Sequence, residues 1–228
     1  MKTYFKIGLF GTSGSGKTYS AIRLAKGLVS DVSKIVIINT EDQITNIYKK
    51  RLGMFHVEHF GAPYDPLRYV KAIEHFTSKG YEAIIIDSIS HEWSGKGGCL
   101  EIQQAMGGDF KAWAKVTPLH NQFIEAIVKA PTHIIACGRT KQDYAMDRDN
   151  NGRTKITKVG MGVISREGFE YELTCAFDID QRHYATPTKD RTGIFLKGEE
   201  PIPFIITEET GKLLTNEFNN EETETKEA

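Results

Sequence analysis

A glycine-rich segment near the amino terminus has the residue types and spacing that hold a phosphate group. It reads GTSGSGKT and fits the pattern G-x-x-x-x-G-K-[ST] in full. Its glycines let the backbone come close to phosphate oxygens, so that backbone N–H groups can point at them. We therefore predict a nucleotide-binding P-loop at residues 11–18, formed by Gly11, Thr12, Ser13, Gly14, Ser15, Gly16, Lys17 and Thr18.

Two side chains at the end of the P-loop predict chemistry on a triphosphate. Lys17 can reach the β- and γ-phosphates, and the Thr18 hydroxyl can ligate Mg²⁺. The P-loop follows an apolar run at 5–10 and precedes a helical pattern at 17–29, which is the context that the motif requires. The positive end of the helix dipole adds to phosphate binding. ATP and Mg²⁺ are the expected ligands, and a chance glycine-rich turn is the alternative.

Acidic residues that end apolar runs predict the rest of the reaction centre. Asp87 closes AIIID and Glu41 closes IVIINTE. Ligands of open α/β sheets bind at the carboxyl ends of the strands, so Asp87 is expected to hold Mg²⁺ through water. Glu41 is expected to act as the general base on the water that attacks the γ-phosphate, with helix capping as its alternative role. Glu92, in SISHEW, is a reserve candidate for the base.

These residues need a sheet to position them, and the chain contains the strands for one. Short apolar runs rich in isoleucine and valine predict buried strands at 5–10, 34–39, 82–87 and 132–137. Helical patterns occur between them, one from Asp65 and Pro66 and one that opens at Thr117 and Pro118. Alternating strands and helices predict an α/β fold with a largely parallel, doubly wound sheet.

Beyond residue 140 the pattern changes. Asn151 and Gly152 predict a tight hairpin turn, and the segments at 172–180 and 182–190 predict two further strands joined by a polar turn. We place a core at 1–206, followed within 207–228 by a helix at about 207–217 and an acidic end from residue 219 that is expected to be disordered.

The composition limits the class of protein. The 228 residues are 39% hydrophobic and 26% charged with a formal net charge of -1, which argues against a wholly basic nucleic-acid-binding protein. The three cysteines and seven histidines show no metal-ligand spacing, and the cysteines indicate reduced thiols. No segment approaches the roughly 18 apolar residues of a membrane span, so we expect a soluble, cytoplasmic protein.

Several motifs in order resemble those of RecA-like ATPases. They are the P-loop, NTE after the second strand, IIIDS and KDRTG. The segments DSISHEW, GKGGCLE and FKAWAKVTPLH, with HIIACGRTK and EYEL downstream, resemble a phage subgroup labelled nucleotide-binding or AAA-family ATPases. That subgroup includes minimal RecA-like single-strand annealing and recombination proteins. The resemblance covers roughly residues 5–200 and implies a RecA-like P-loop NTPase fold with a C-terminal β-hairpin extension.

The resemblance implies further roles. Arg139, with Thr140 as the alternative, matches the residue that senses the γ-phosphate, although recombinases commonly have glutamine there. Lys189 and Arg191, the basic pair, match cations that project into the nucleotide site of a neighbouring subunit and stabilise charge on the transferring phosphoryl group. A basic edge strand that discourages aggregation is the alternative. Self-association across the nucleotide site is therefore expected, as a ring, a filament or a transient assembly; a monomer is the other alternative.

The resemblance also implies a DNA-binding face. The loops at about 90–109 and 140–163 would face single-stranded DNA and offer phosphate contacts from Lys96, Lys141, Arg148, Arg153, Lys155 and Lys158. A solvated hairpin is the alternative for the second loop. A single-strand-binding protein is a further expected partner, and a phage-encoded protein would work in the cytoplasm of the bacterial host.

The sequence thus favours an ATP-hydrolysing core that acts on single-stranded DNA in phage recombination or replication. Hydrolysis is expected to be slow for the protein alone and stimulated by assembly or by single-stranded DNA. A nucleotide-dependent assembly or switch protein with a protein partner and no DNA is the alternative. A P-loop kinase is a third possibility, but the glutamate of NTE favours water as the acceptor.

Overall fold

The computed structural model describes residues 2–41, 45–148, 154–166, 168–196 and 200–224. Side chains are described in these ranges except at 45–46, 142–148, 154–161 and 219–224. The elements follow in the order β1 (Lys6–Gly11), α1 (Lys17–Leu28), β2 (Ile35–Asn39), α2 (Thr45–Leu52), β3 (His56–His59), α3 (Pro66–Ser78), β4 (Ala83–Asp87), α4 (Ser90–Ser94), α5 (Cys99–Ala105), α6 (Trp113–Lys129), β5 (His133–Arg148), β6 (Thr154–Val163), β7 (Cys175–Ile179), β8 (Ala185–Asp190) and α7 (Glu208–Glu224).

The strands form one sheet in the order β3-β2-β4-β5-β1-β7-β8, with β6 paired to β5. Strands β3, β2, β4, β5, β1 and β7 are parallel, whereas β8 and β6 each run antiparallel to their neighbour. The predicted α/β class with a largely parallel sheet is confirmed, and β7 with β8 forms the C-terminal hairpin. Because the parallel strands all end at one edge, the residues that follow them are brought together there.

Both faces of the sheet are covered, which explains the continuous apolar runs. On one face, alternate strand residues such as Ile37 and Ile85 pack with α1 and α7. On the other face, their neighbours such as Ile38 and Ile86 pack with α3 and α6. The middle of each run is therefore mostly apolar on both faces, because side chains on either face meet a helix.

Helix α6 begins earlier than its proline suggests. The predicted start at Thr117 and Pro118 is wrong, since the helix begins at Trp113 and contains Pro118. A 3-10 helix at Phe110–Ala112 leads into it, and the Asp109 carboxylate accepts a hydrogen bond from the Ala112 N–H at 2.9 Å. This earlier start places Val116 on the buried face of the helix, a gain that compensates for the backbone hydrogen bond that Pro118 lacks.

The two segments expected as loops both contain regular structure. Residues 90–109, expected as a loop, carry α4 and α5; Gly98 packs closely there, since a Cβ on it would lie 2.5 Å from the Glu92 carbonyl oxygen. The second segment is the antiparallel pair of β5 and β6. The predicted turn at Asn151 and Gly152 lies outside the described residues.

The C-terminal helix packs onto the core. Leu214 is fully buried, and a Cβ on Gly211 would lie 2.8 Å from the Cα atom of Gly27 in α1, so two glycines let the helices approach closely. The predicted disorder is wrong for residues 219–224, because α7 continues to Glu224; a helix that is nucleated by packed residues can extend into a polar segment. No helix of the described ranges is long and apolar enough to cross a membrane.

Candidate functional site

The P-loop connects β1 to α1 with the backbone geometry that its glycines allow. Gly16 precedes the helix with φ 93°, a left-handed conformation that other residues rarely adopt. A Cβ on Gly16 would also lie only 2.9 Å from the Nδ1 atom of His183. Glycine is therefore required here both by the backbone angle and by the close neighbour.

The Lys17 side chain lies inside the P-loop. Its Nζ atom donates hydrogen bonds to the carbonyl oxygens of Gly11 at 2.9 Å and Thr12 at 2.8 Å, and the residue is only 7% exposed. The Ser15 hydroxyl oxygen is also buried and has no hydrogen-bond partner in the described part of the chain. The loop thus holds one cation and one free polar atom where phosphate oxygens would lie.

Thr18 and Asp87 meet at the end of β4. The Thr18 hydroxyl donates a hydrogen bond to Oδ2 of Asp87 at 2.5 Å, and Asp87 is 2% exposed. Burial raises the pKa of Asp87 to about 6, and the charge of Glu41 adds to this, against the hydrogen bond from Thr18 and the charges of Lys17 and Arg139. Its Oδ1 atom is buried without a described hydrogen-bond partner. A buried, unsatisfied carboxylate oxygen beside a hydroxyl fits Mg²⁺, which prefers oxygen ligands.

Glu41 and Arg139 form an ion pair beside these residues. Asn39 at the end of β2 lies opposite Asp87 in the sheet, which brings Glu41 to the same edge. The Nε and Nη2 atoms of Arg139 lie 2.8 and 2.7 Å from Oε1 of Glu41, and the two side chains are 43% and 35% exposed. The structure therefore joins the expected general base to the expected sensor; the alternative sensor, Thr140, is 8% exposed.

A hydrogen-bond network that the sequence did not suggest holds the backbone next to Glu41. The Thr40 hydroxyl accepts from the backbone N–H of Ser88 at 2.6 Å and lies 2.7 Å from Nδ1 of His91. Tyr64 stacks on His91 with ring centroids 4.8 Å apart. Burial and the charge of Arg139 lower the pKa of His91, which favours the neutral ring.

The turn between β7 and β8 covers the P-loop. Nε2 of Gln181 donates to the Ser13 carbonyl at 3.0 Å and to the Thr12 hydroxyl, and Nδ1 of His183 lies 2.9 Å from the Ser15 carbonyl. The only signal for these residues was a polar turn between two predicted strands. Their role depends on β7 lying next to β1, which the sequence did not reveal.

A cleft of about 620 Å³ opens beside the P-loop. Its wall beyond the P-loop is aromatic and basic, with Tyr19, Arg23, Tyr48, Arg51, Arg139 and Arg182 among the lining residues. Arg23 is paired with Glu208 and Arg139 with Glu41. Arg51 and Arg182 have no ion pair among the described residues and can attract an anionic ligand, and the tyrosines offer flat surfaces for a ring. The cleft suits a nucleoside triphosphate in size and charge.

The basic pair lies away from the P-loop of its own chain. Asp190, between Lys189 and Arg191, lies opposite Cys175, and Cys175 pairs with Ile7, whereas the P-loop follows Gly11 at the other end of β1. Lys189 donates to the carbonyls of Glu170 at 2.9 Å and of Tyr171, and Arg191 donates to the carbonyl of Tyr171 at 2.6 Å. The structure does not bring the pair to the Lys17 site.

Glu92 is not part of the cleft. It is fully buried, Nδ1 of His120 lies 3.1 Å from each of its carboxylate oxygens, and the Cys99 thiol donates to Oε1 at 3.0 Å. The reserve assignment of Glu92 as the base is therefore wrong, because α4 directs this side chain between the helices.

The basic residues expected at DNA lie in two places. Lys96 is exposed between α4 and α5, and Lys141 is exposed on β5. Arg148, Lys155 and Lys158 lie on the paired strands of the β5–β6 hairpin, and Arg153 is outside the described residues. The hairpin begins directly after Arg139 and extends from the edge of the sheet that carries the P-loop.

Comparison with known proteins agrees with this geometry. Residues 3–200 match the family described as AAA domain. A segment is 32% identical over 100 residues to the signal recognition particle 54 kDa protein of Thermococcus kodakarensis. That similarity covers 41% of this chain and 22% of the length of that protein.

Proposed function

The chain belongs to the AAA domain family, with a nucleotide-binding domain over most of its length, and on that premise we propose that it binds ATP with Mg²⁺ and hydrolyses it. One observation carries the proposal: Thr18 contacts Asp87 at 2.5 Å beside a buried Lys17, and the second carboxylate oxygen of Asp87 has no described partner. The arrangement supports phosphate binding by the loop and magnesium binding by Thr18 and Asp87 at one place.

Thr18 and Asp87 would hold the magnesium ion, which neutralises charge on the β- and γ-phosphate oxygens when bound. Lys17 exchanges its two loop carbonyls for phosphate oxygens, which are stronger acceptors because they are charged. The P-loop backbone N–H groups and the amino end of α1 bind the remaining oxygens. This part of the site is buried and requires little rearrangement.

Glu41 is the proposed general base. It accepts a proton from water while the water oxygen bonds to the γ-phosphorus and the bond to the bridging oxygen breaks. In the structure its carboxylate is held by Arg139, so the base is engaged before a nucleotide binds. We propose that the γ-phosphate draws Arg139 away and frees Glu41, because both acceptors compete for one guanidinium.

Hydrolysis is further proposed to depend on a neighbouring copy of the chain. The basic pair lies too far along the sheet to serve its own P-loop, yet both side chains are on the outside of the molecule, and their hydrogen bonds to described residues go to backbone carbonyls. We propose that the cations of one copy reach the nucleotide site of a neighbouring copy and stabilise the transferring phosphoryl group there. Such an effect is worth roughly 10³–10⁵ in rate for arginine fingers.

Mixing two defective variants tests this dependence on assembly. Lys17→Ala removes a subunit's own site but keeps its basic pair, and Arg191→Ala does the reverse. Each variant alone is expected to be inactive, and a mixture is expected to regain part of the wild-type ATP turnover. Lys212→Ala, another exposed basic residue, is the control and should turn over normally. An Arg191→Ala protein with an unchanged rate would contradict the proposal.

We propose that the assembled ATPase acts on single-stranded DNA, in phage recombination or replication. The support is the resemblance of DSISHEW and GKGGCLE to that phage subgroup, together with a hairpin that carries basic residues and begins directly after Arg139. DNA held by the hairpin could therefore act on Arg139 through a continuous strand. A single-strand-binding protein is a proposed partner, because it would occupy the same single-stranded DNA.

ATP turnover across a protein dilution series, with and without an unstructured oligonucleotide, tests the DNA proposal. We expect stimulation by DNA that weakens steeply as salt is raised, because the contacts are to phosphates. Turnover that rises with protein concentration but ignores DNA would instead support a nucleotide-dependent switch with a protein partner. The Glu41–Arg139 ion pair fits both candidates, since an occupied base predicts slow hydrolysis until a partner acts, and the response to DNA separates them.

A further inference from the structure

Three side chains that can bind a metal ion meet in the interior, apart from the nucleotide cleft. We propose that Glu92, Cys99 and His120, the buried cluster, bind one Zn²⁺ ion that ties together α4, α5 and α6. One donor atom from each residue lies within 4.8 Å of the other two. All three are nearly or completely buried, at 0%, 0% and 3% exposure.

The donor set suits zinc in type and charge. Thiolate, imidazole and carboxylate are all zinc ligands, and three protein ligands with one open position form a known class of site. One thiolate and one carboxylate carry two negative charges, which balance a divalent cation, and the imidazole is neutral. Neutrality matters here because an uncompensated charge in a fully buried site is costly.

The distances fit after a small expansion. The Cys99 sulfur lies 3.0 Å from Oε1 of Glu92, and Nδ1 of His120 lies 3.1 Å from that same oxygen. Zinc bonds of about 2.0 Å to nitrogen and oxygen and 2.3 Å to sulfur place tetrahedral ligands about 3.3–3.5 Å apart. The two distances to the Glu92 oxygen therefore need to increase by only a few tenths of an ångström, with loss of the thiol proton, and the donor atoms of Cys99 and His120 start within 4.8 Å of each other.

Close packing of α4, α5 and α6 holds the three ligand side chains of the buried cluster together. Gly98 folds against the end of α4, where a Cβ would lie 2.5 Å from the Glu92 carbonyl, and so places Cys99 beside Glu92. Trp93 stacks on Trp113 at 5.5 Å, and its ring also contacts that of His120 edge-on at 5.4 Å. His120 borders a cavity of about 530 Å³ as well, so one side of the buried cluster adjoins space that water can fill.

Another polar atom lies near and unsatisfied. The hydroxyl of Tyr69 is buried without a hydrogen-bond partner among the described residues. The Tyr69 ring lies 5.2 Å from that of Phe123, and the Phe123 ring lies 6.4 Å from that of His120, so the hydroxyl and the buried cluster belong to one packed region.

The ion would also steady the nucleotide site from behind. Helix α4 carries Ser90, whose hydroxyl accepts from the Arg139 backbone at 2.9 Å, and His91, which contacts Thr40. Fixing Glu92 therefore fixes the helix on which both contacts depend. Zinc is expected to raise the thermal midpoint of the nucleotide-free protein by several degrees, since a structural ion stabilises the folded state.

Metal analysis of the untagged full chain tests the proposal without any nucleotide. The protein is stripped with a chelator, equilibrated with Zn²⁺, desalted and analysed by mass spectrometry for zinc. We expect about one zinc per chain, and at least a roughly 100-fold weaker affinity for Cys99→Ser, because even outer-shell changes cost 10–100-fold. Wild-type protein that retains no zinc, or a Cys99→Ser variant that retains it equally, would overturn the proposal.

A matched control is available in the same chain. Cys175 is also buried and also donates to a carboxylate, that of Asp190 at 3.5 Å, but no described histidine completes a cluster there. Cys175→Ser should therefore bind zinc as the wild type does. If Cys99→Ser fails to fold, cobalt binding by the wild type decides the matter. A thiolate-to-cobalt charge-transfer band supports the site, and its absence refutes it.

Discussion

The inner and outer parts of the nucleotide cleft are built differently. Lys17, Thr18 and Asp87 are held within the sheet and P-loop, and Lys17 and Asp87 are at most 7% exposed. Glu41 and Arg139 are more than a third exposed, and each is the partner of the other. In the inner part, a nucleotide with Mg²⁺ would replace the bonds of Lys17 to two P-loop carbonyls and open the contact of Thr18 with Asp87. The outer part must exchange the Glu41–Arg139 ion pair, which involves none of these residues, so binding and hydrolysis should respond to mutation independently.

Lys17→Ala, in the inner part, is expected to have the broadest effect, because it removes ATP binding and turnover together. Removing the buried ammonium leaves the phosphate charge without its closest partner, and the affinity for ATP should fall by about 100-fold or more. Titration with a fluorescent ATP analogue measures this. Lys26→Ala, in the last turn of the same helix, serves as the control and should bind normally. Intact affinity in Lys17→Ala would remove the basis for the whole site.

Glu41→Gln should separate the two parts. A glutamine keeps the size of the side chain but cannot accept the proton, so the turnover number should fall by roughly 10²–10⁴. The affinity for ATP should not fall, since the inner part keeps its residues and Arg139 is released from its competing partner. Glu58→Gln, on the exposed strand β3, is the comparison variant. Equal losses of binding and turnover would show that the two parts are not separable.

Arg139→Gln sharpens the proposed competition for the guanidinium. It removes the ion pair with Glu41 and installs the residue that RecA-like recombinases commonly have, so turnover should change by no more than about tenfold. Arg139→Ala should lose more, because nothing then contacts the γ-phosphate from β5. Steady-state phosphate release compares the two variants. Identical rates for them would argue against a sensor role.

The last prediction concerns the free energy of unfolding of the nucleotide-free protein and its dependence on pH. Burial raises the pKa of Asp87 from 3.8 to about 6. Ionising this carboxyl therefore lowers the free energy of unfolding; the loss is absent below about pH 4, grows as the pH rises, and is complete above about pH 6. Asp87→Asn should therefore stabilise the nucleotide-free protein by on the order of 1–3 kcal/mol at pH 7.5 and by little at pH 4. Thermal melts at both pH values measure this.

Asp178 provides the matched control for that measurement. Burial raises its pKa to about 6 as well, with the charge of Glu170 adding to the effect, so Asp178→Asn should show the same pH-dependent stabilisation. Only Asp87→Asn should lose the dependence of ATP binding on Mg²⁺. Loss of that dependence in both variants would remove the assignment of Asp87 as the magnesium residue.

Sequence reasoning located the inner part because its residues are coupled to local patterns. The P-loop is a contiguous motif, and Asp87 ends an isoleucine-rich run that predicts a buried β-strand. It failed where a local signal was overridden. Pro118 suggested a helix start, but the helix begins earlier, at Trp113, where it buries Val116. Residues 90–109 are expected as a loop, but α4 and α5 form there, and Gly98 packs against the Glu92 carbonyl.

The sequence by itself determined the P-loop, the apolar strands and the acid at the end of β4, since each depends on neighbours along the chain. Only the tertiary structure decided that Arg139 meets Glu41, that Gln181 and His183 cover the P-loop, and that Cys99 joins Glu92 and His120. These contacts depend on the order of strands in the sheet and on how helices pack across it. Such an arrangement is set by the summed burial of many side chains, and no single segment encodes it.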